Sequence, residues 1–488
     1  MTLRRIAIAL AFALIPAALS AEDIARPFPK DVLAYAELAP ADLLKLAESW
    51  ELDRNHVLDP VLRALSDASG MSVDDLVPEL RKVNHAAAAL VRIDAKTEKA
   101  VFLATLDLAG SDPLRKAVEA KLAALPQAFP AGTGTTMRGN AEGTQFGVIV
   151  NDLLIVGNND EETMAAVGRL KSREAASLAD NKRLLRRAEA GFPARFIIDA
   201  AGLRRGLAET DGRNDDFAAL EALIDLKSVD VVEGRLIVDE KATWLELRGQ
   251  CTGENRALAM LTGKQYAKLA TARYFSIDWG VVAFGSPADA AAQAKLLKDI
   301  ARDYAAADGN RTAVDEIERI EKLLGLTLDD ALTDVSEIGV ANRPGAAGEE
   351  WLLVAKTKDA ARAELLAKRA NQVRPEGRWV AAADGEFLLL ASGDAVIADA
   401  KNVAADDRSI VNERTAKQAQ VLFPNRAHGV AYVNPMRLAT RMPRNPNAPP
   451  PALIGIAWFP RMGQNSFGLG IDLTQMKGLA ANLGRFLK

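Results

Sequence analysis

Between Gly147 and Arg195 the chain spells a hairpin, a capped helix and a Phe-Pro-x-Arg lead into another strand, and the same order returns between Val380 and Arg426. In the first stretch, Val148 to Val150 and Leu153 to Val156 flank Asn151-Asp152, two residues that tolerate the positive φ of a tight hairpin. In the second, Val380 to Ala383 and Phe387 to Leu390 flank Asp384-Gly385, so the turn chemistry persists while the residues change. Asp384 trails Asn151 by 384 − 151 = 233 residues. Ser177 and Ser409 each open a helical pattern with a hydroxyl able to accept from a first-turn N–H, and they are 409 − 177 = 232 apart. Phe192 and Phe423, which begin the two Phe-Pro-x-Arg segments, are 423 − 192 = 231 apart. Three local signals that hold one spacing within two residues point to an internal repeat.

A repeat of this size suits the length, because 488 residues exceed what a single core usually serves. The reading divides the chain into a leader at 1–21, a first repeat at 22–265 and a second at 266–488. Each repeat has strands that come in tight hairpin pairs, which only antiparallel neighbours can use. The predicted fold class is therefore α+β: two similar domains, each a mostly antiparallel sheet with helices covering one face. Gly70 to Asp75 and Gly325 to Asp330 add a further match, 325 − 70 = 255 apart, with paired aspartates suited to the first turn of a helix. The spacing shrinks afterwards because the first copy carries a longer loop at Pro130 to Thr136. The second copy departs at Pro443 to Pro451, a proline-rich run that reads as a stiff connector.

Met1 to Ala21 has the build of an export signal, with Arg4 and Arg5, an apolar core from Ile6 to Ile15, and a small-residue exit before Glu22. Pro16 and the short apolar run argue against a spanning helix, which needs about 20 apolar residues. Removing the leader takes two of the 61 basic side chains and leaves 59 against 65 acidic ones, a net charge of −6. No basic cluster interrupts that balance, so neither nucleic acid nor an anionic membrane surface is an expected partner. The single cysteine, Cys251, has no internal partner for a disulfide and lies far from the mature N-terminus, where a lipid would be attached.

Linear motifs for chemistry are wanting. His56, His85 and His428 are the only histidines and share no metal-ligand spacing. No serine sits in G-x-S-x-G or S-x-x-K, and no phosphate-cradling glycine loop occurs. Asp308 to Thr312 begins like a calcium loop but has Ala313 and Arg319 where glycine and glutamate belong. Asn158 to Glu162 reads as a helix cap and acidic first turn. Catalytic, cofactor-binding and metal residues are thus assigned to none. Arg195 and Arg426, the arginines of the repeated Phe-Pro-x-Arg, are the candidate ligand or interface contacts, with a structural ion pair as the alternative role.

The opening Pro29-x-Asp31-x-Leu33-Ala34-Tyr35 and the duplicated apolar hairpins resemble bacterial exported proteins grouped as a domain of unknown function. That resemblance spans most of the mature chain. It implies an envelope location and a duplicated α+β fold, and it transfers no catalytic residue. The leading expectation is a non-enzymatic periplasmic binding or scaffolding protein without a cofactor, whose partner is another envelope protein. The alternative is an envelope enzyme acting on a glycan or peptide at a cleft between the repeats.

Overall fold

The computed structural model describes residues 25–50, 59–94, 99–131, 135–172, 175–185, 192–208, 225–239, 242–264, 269–309, 311–345, 348–372, 379–406, 408–412, 427–439, 453–461 and 465–475. The leader at 1–21, the proline-rich run at 443–451, His56 and Arg426 lie outside them. Two compact units emerge, one made of Met1–Gly212 with Asp230–Asp239 and the other of Arg213–Val229 with Glu240–Lys488.

The first unit opens with β1 (Ala34–Leu38), α1 (Pro40–Ser49), α2 (Asp59–Ser69), α3 (Val73–Leu80), β2 (Ala86–Asp94), β3 (Lys99–Asp107) and α4 (Asp112–Ala123). It continues with β4 (Gln127–Pro130), β5 (Thr136–Gly139), β6 (Phe146–Val150), β7 (Leu153–Gly157), α5 (Asp160–Lys171), β8 (Ala194–Asp199), α6 (Ala200–Ala208) and β9 (Val229–Val238). Every pairing is antiparallel, in the order β9–β8–β1–β2–β3–β7–β6–β5–β4. The central hairpin turns at Asn151, whose φ of 56° is the left-handed conformation that asparagine accepts more readily than most residues.

Helix starts follow local chemistry. Ser72, Ser111 and Asn159 each accept a first-turn N–H, and Asn159 Oδ1 takes that of Glu162 at 2.9 Å. Asp160, Glu161 and Glu162 form the acidic first turn of α5, while the amide of Asn158 bonds to Phe102 and Ala100 of β3 and extends the ladder sideways. The segment at Pro130 to Thr136 is flanked by β4 and β5, which pair as a hairpin at the edge of the sheet.

The second unit has β10 (Thr243–Cys251), α7 (Arg256–Leu261), β11 (Val281–Gly285), α8 (Ala290–Asp308), α9 (Thr312–Leu324), α10 (Leu328–Leu332), β12 (Glu337–Gly345) and β13 (Gly348–Lys356). It ends with α11 (Ala360–Gln372), β14 (Val380–Asp384), β15 (Phe387–Ala391), α12 (Asp394–Ala405), β16 (Gly429–Val433), α13 (Pro435–Ala439), β17 (Ile454–Arg461) and β18 (Ser466–Asp472). Its antiparallel order is β10–β18–β17–β16–β11–β12–β13–β15–β14. Here the two-residue loop is Gly385-Glu386, with Asp384 already paired to Phe387 and the positive φ carried by Gly385.

Helices cover both faces of each sheet, where one face was expected. In the first unit α5 packs on Val148 and Ile155, while α2, α3 and α4 pack on Leu106, Ile149 and Leu154, the alternate residues of the same strands. In the second, α12 lies against Leu352, Val354 and Leu389, and Ala290 of α8 joins Leu353, Ala355 and Leu388 on the opposite side. Apolar runs such as Leu153 to Ile155, buried at all three positions, require this, because consecutive apolar residues on a strand point to both faces.

Candidate functional site

In the first unit the register of three strands brings charges to the core face. Glu37 of β1 stands opposite Arg195 of β8, which stands opposite Arg235 of β9. One step along the same face are Tyr35, Ile197 and Glu233. Arg195 donates from Nε to Glu233 Oε1 at 2.8 Å, and its Nη1 lies 3.5 Å from Glu37 Oε1. Arg235 donates from Nε to the same Glu233 oxygen at 2.9 Å and lies over the Phe192 ring, 5.1 Å from its centroid. Tyr35 donates its hydroxyl to Glu37 Oε2 at 3.0 Å and packs edge-on against Phe28.

The cluster is walled by the core: the Arg195 side chain is 2% exposed, against 13% for Glu37 and 16% for Glu233. Burial pushes the Glu37 carboxyl above its usual range, and the Arg195 guanidinium pulls only part of the way back. Burial also holds the Tyr35 hydroxyl protonated, well above the ordinary tyrosine range. Arg195 Nη2 is buried without a hydrogen-bond partner. Chemically the group is a salt network within the sheet: Glu233 Oε1 takes both Arg195 and Arg235, Glu37 takes Tyr35 and faces Arg195, and the rings of Phe28 and Phe192 pack against Tyr35 and Arg235.

Of the two arginines singled out in the sequence, Arg195 therefore lies in this network, pairing with strands on either side, and Arg426 falls outside the described residues. Glu37, Glu233, Arg235 and Tyr35 were missed. Their signal was parity: each is a polar residue at the core-facing phase of a strand whose neighbours in that phase, Ile197 and Val231, are apolar.

The remaining ionic groups tie elements together. Arg183 pairs with Asp199 and with Asp230, and Asp199 Oδ1 caps α6 through Gly202 N–H at 2.8 Å. In the second unit, Arg343 bonds Glu350 at 2.6 Å, reaches Asp399 at 3.3 Å and stacks over the Trp279 ring at 4.5 Å. Lys298 of α8 joins Glu321 of α9 to Asp329 of α10. His428 Nδ1 accepts from Gly263 N–H at 3.0 Å, whereas both ring nitrogens of buried His85 lack partners. Cys251 is buried in β10. Among the described residues no group of three or more His, Cys, Asp or Glu side chains could hold a metal ion, and no helix is long and apolar enough to cross a membrane.

Fold and site together define an α+β protein with antiparallel sheets, whose most buried ionic cluster in the first unit is part of the sheet. No family model matches the chain, and no curated protein does. Among solved structures, crystal form III of TP0453 is similar at 10% identity and a TM-score of 0.30, over 52% of this chain and 90% of that one. Crystal forms I and IV of TP0453 each give 11% identity and a TM-score of 0.27, over 49% and 46% of this chain and 81% and 79% of those. At that level the likeness carries no argument about fold or activity.

Proposed function

We propose that the protein is a non-enzymatic exported binding or scaffolding module of the cell envelope, built by duplication of one α+β domain. Support for the duplication comes from strand order. Reading β1, β2, β3, β7, β6, β8 and β9 as the counterparts of β11, β12, β13, β15, β14, β16 and β17, the two sheets run in the same order. Asp199 ends β8 and Asn434 directly follows β16, each taking an N–H three residues ahead, and their own N–H groups bond to the carbonyls of Leu33 and Gly280.

Counting back from that pair aligns Arg195 with Val430, Glu37 with Phe284 and Arg235 with Ala457. Ions in one copy stand where apolar core stands in the other. On this alignment Val430 holds the station that Arg195 fills, and Arg426 precedes Val430 by four residues in the sequence.

The binding or scaffolding reading rests on the enclosure of the Glu37–Arg195–Glu233–Arg235 cluster. A guanidinium whose side chain is 2% exposed and paired to two carboxylates of neighbouring strands is placed to order those strands. The test is affinity capture of the tagged mature protein from an envelope fraction, with mass spectrometry of proteins and small molecules. A stoichiometric protein partner is the expected result. A co-eluting glycan or peptide that the purified protein turns over would overturn the reading. The mass of the mature chain should begin at or just before Glu22; retention of Met1 to Ala21 in exported protein would contradict the leader.

A further inference from the structure

The first unit continues its sheet beyond β6 with β5 and β4, whereas among the described residues β14 of the second pairs with β15 alone. Val150 faces Leu153 across one turn and Asp384 faces Phe387 across the other, so Gly147 and Ala381 hold the same station, three residues before the residue that closes the hairpin. Gly147 stands opposite Arg138 of β5. Ala381 meets a side chain instead. Asn371, in the last turn of α11, donates Nδ2 to the Ala381 carbonyl at 2.7 Å and accepts the Ala381 N–H on Oδ1 at 3.0 Å.

One donor and one acceptor on a single primary amide are what a residue of a neighbouring strand offers across an antiparallel ladder. Lys401 Nζ takes the next outward carbonyl, that of Ala383, at 3.2 Å. The strand itself, Val380-Ala-Ala-Ala-Asp384, has no proline, lysine or bulge of its own, and its protection comes from outside it: α11 packs against it and leaves Ala381 only 4% exposed.

We infer that β14 is a strand-accepting edge that the Asn371 amide keeps closed, and that its partner is an extended peptide segment added antiparallel, main chain to main chain, as β5 is added to β6. The comparison of stations rests on the duplication reading, while the contacts of Asn371 do not. Specificity in such additions comes from side chains, and affinity from the ladder that the incoming main chain completes. The wild-type protein takes such a segment only when it displaces two hydrogen bonds, and loss of the amide removes that competition.

The experiment measures fluorescence anisotropy of a labelled peptide copying residues 135–141 against the full mature protein. Asn371→Ala is expected to bind it at least about ten-fold more tightly than wild type. Adding Ala381→Pro, which deletes the outward N–H, should return binding to the wild-type level. Self-association of Asn371→Ala that Ala381→Pro abolishes supports the same edge, with the strand supplied by a second copy. Folded Asn371→Ala protein that neither binds the peptide more tightly nor self-associates overturns the inference. Should Asn371→Ala fail to fold, Asn371→Ser removes the amide with a smaller change and is read the same way. A failure of the duplication reading would remove the reason for choosing the 135–141 peptide but would leave the self-association outcome, which depends on Asn371 and Ala381 alone.

Discussion

Arg195 shows how one side chain can be costly and still fixed in place. Its guanidinium serves Glu233 and Glu37 at once, so Arg195→Ala leaves two carboxylates in the core with Arg235 as their remaining cation. Breaking a buried pair from one side typically costs about 3–5 kcal/mol, and a loss in that range is expected from urea denaturation of the variant. Glu37 has a folded-state pKa raised above its unfolded value, so its protonation favours the fold. That contribution is complete below the ordinary glutamate range and is lost as pH rises through the raised folded value. Glu37→Gln should therefore flatten the stability profile over that window. His85 acts in the opposite direction. Burial without a partner lowers its pKa from 6.5 to about 3, so the neutral ring is native and stability is lost as pH falls below 6.5. At pH 5 the wild type should have lost roughly 2 kcal/mol relative to neutral pH that His85→Phe retains, since one pKa unit is worth about 1.4 kcal/mol. Parallel profiles for the two proteins would refute the assignment.

Strands and helices of this chain are held by contacts that the pattern of residue types only partly announces. Caps were readable, because Asn159 and Ser72 each precede a run with acidic residues in its first turn, and Asn159→Ala should cost about 1 kcal/mol in thermal or chemical denaturation. The turns were readable to within one residue: a left-handed conformation was expected near Asp384-Gly385, and Gly385 carries it as the first loop residue. Directly opposed glycine and aromatic pairs were not readable, since register decides them. Gly234 faces Phe196, Gly429 faces Trp458 and Gly249 faces Phe467, and in each case a Cβ on the glycine would run into the ring. The ring covers the backbone that the glycine leaves bare. Gly429→Ala must push Trp458 away from the hydrogen bond it donates to the Leu261 carbonyl, and a loss of about 1–3 kcal/mol is expected for such overpacking. The hairpin of β4 and β5 was hidden for a different reason. Its strands are four residues each, too short for alternation to stand out against the glycines and threonines between them.

At the scale of the whole chain, sequence repeat and compact unit are different divisions. A cut after residue 265 separates the copies read from the sequence, yet β10 lies before that cut and pairs along seven residues with β18 of the second unit. A fragment of residues 240–488 should therefore fold and melt cooperatively, whereas 266–488 would leave β18 paired to β17 alone, with its other edge bare, and should aggregate; a soluble, cooperative 266–488 would contradict this. Local chemistry alone determined the α+β class, the tight hairpins and the helix caps, because each depends on residues within a few positions of one another. Tertiary structure alone decided which charge meets which. Glu37, Arg195 and Glu233 are far apart in the chain and meet only through strand register, where a slip of one residue would turn every side chain to the other face. It likewise decided that a lone asparagine at a helix end closes β14, a role set by where α11 ends relative to Ala381.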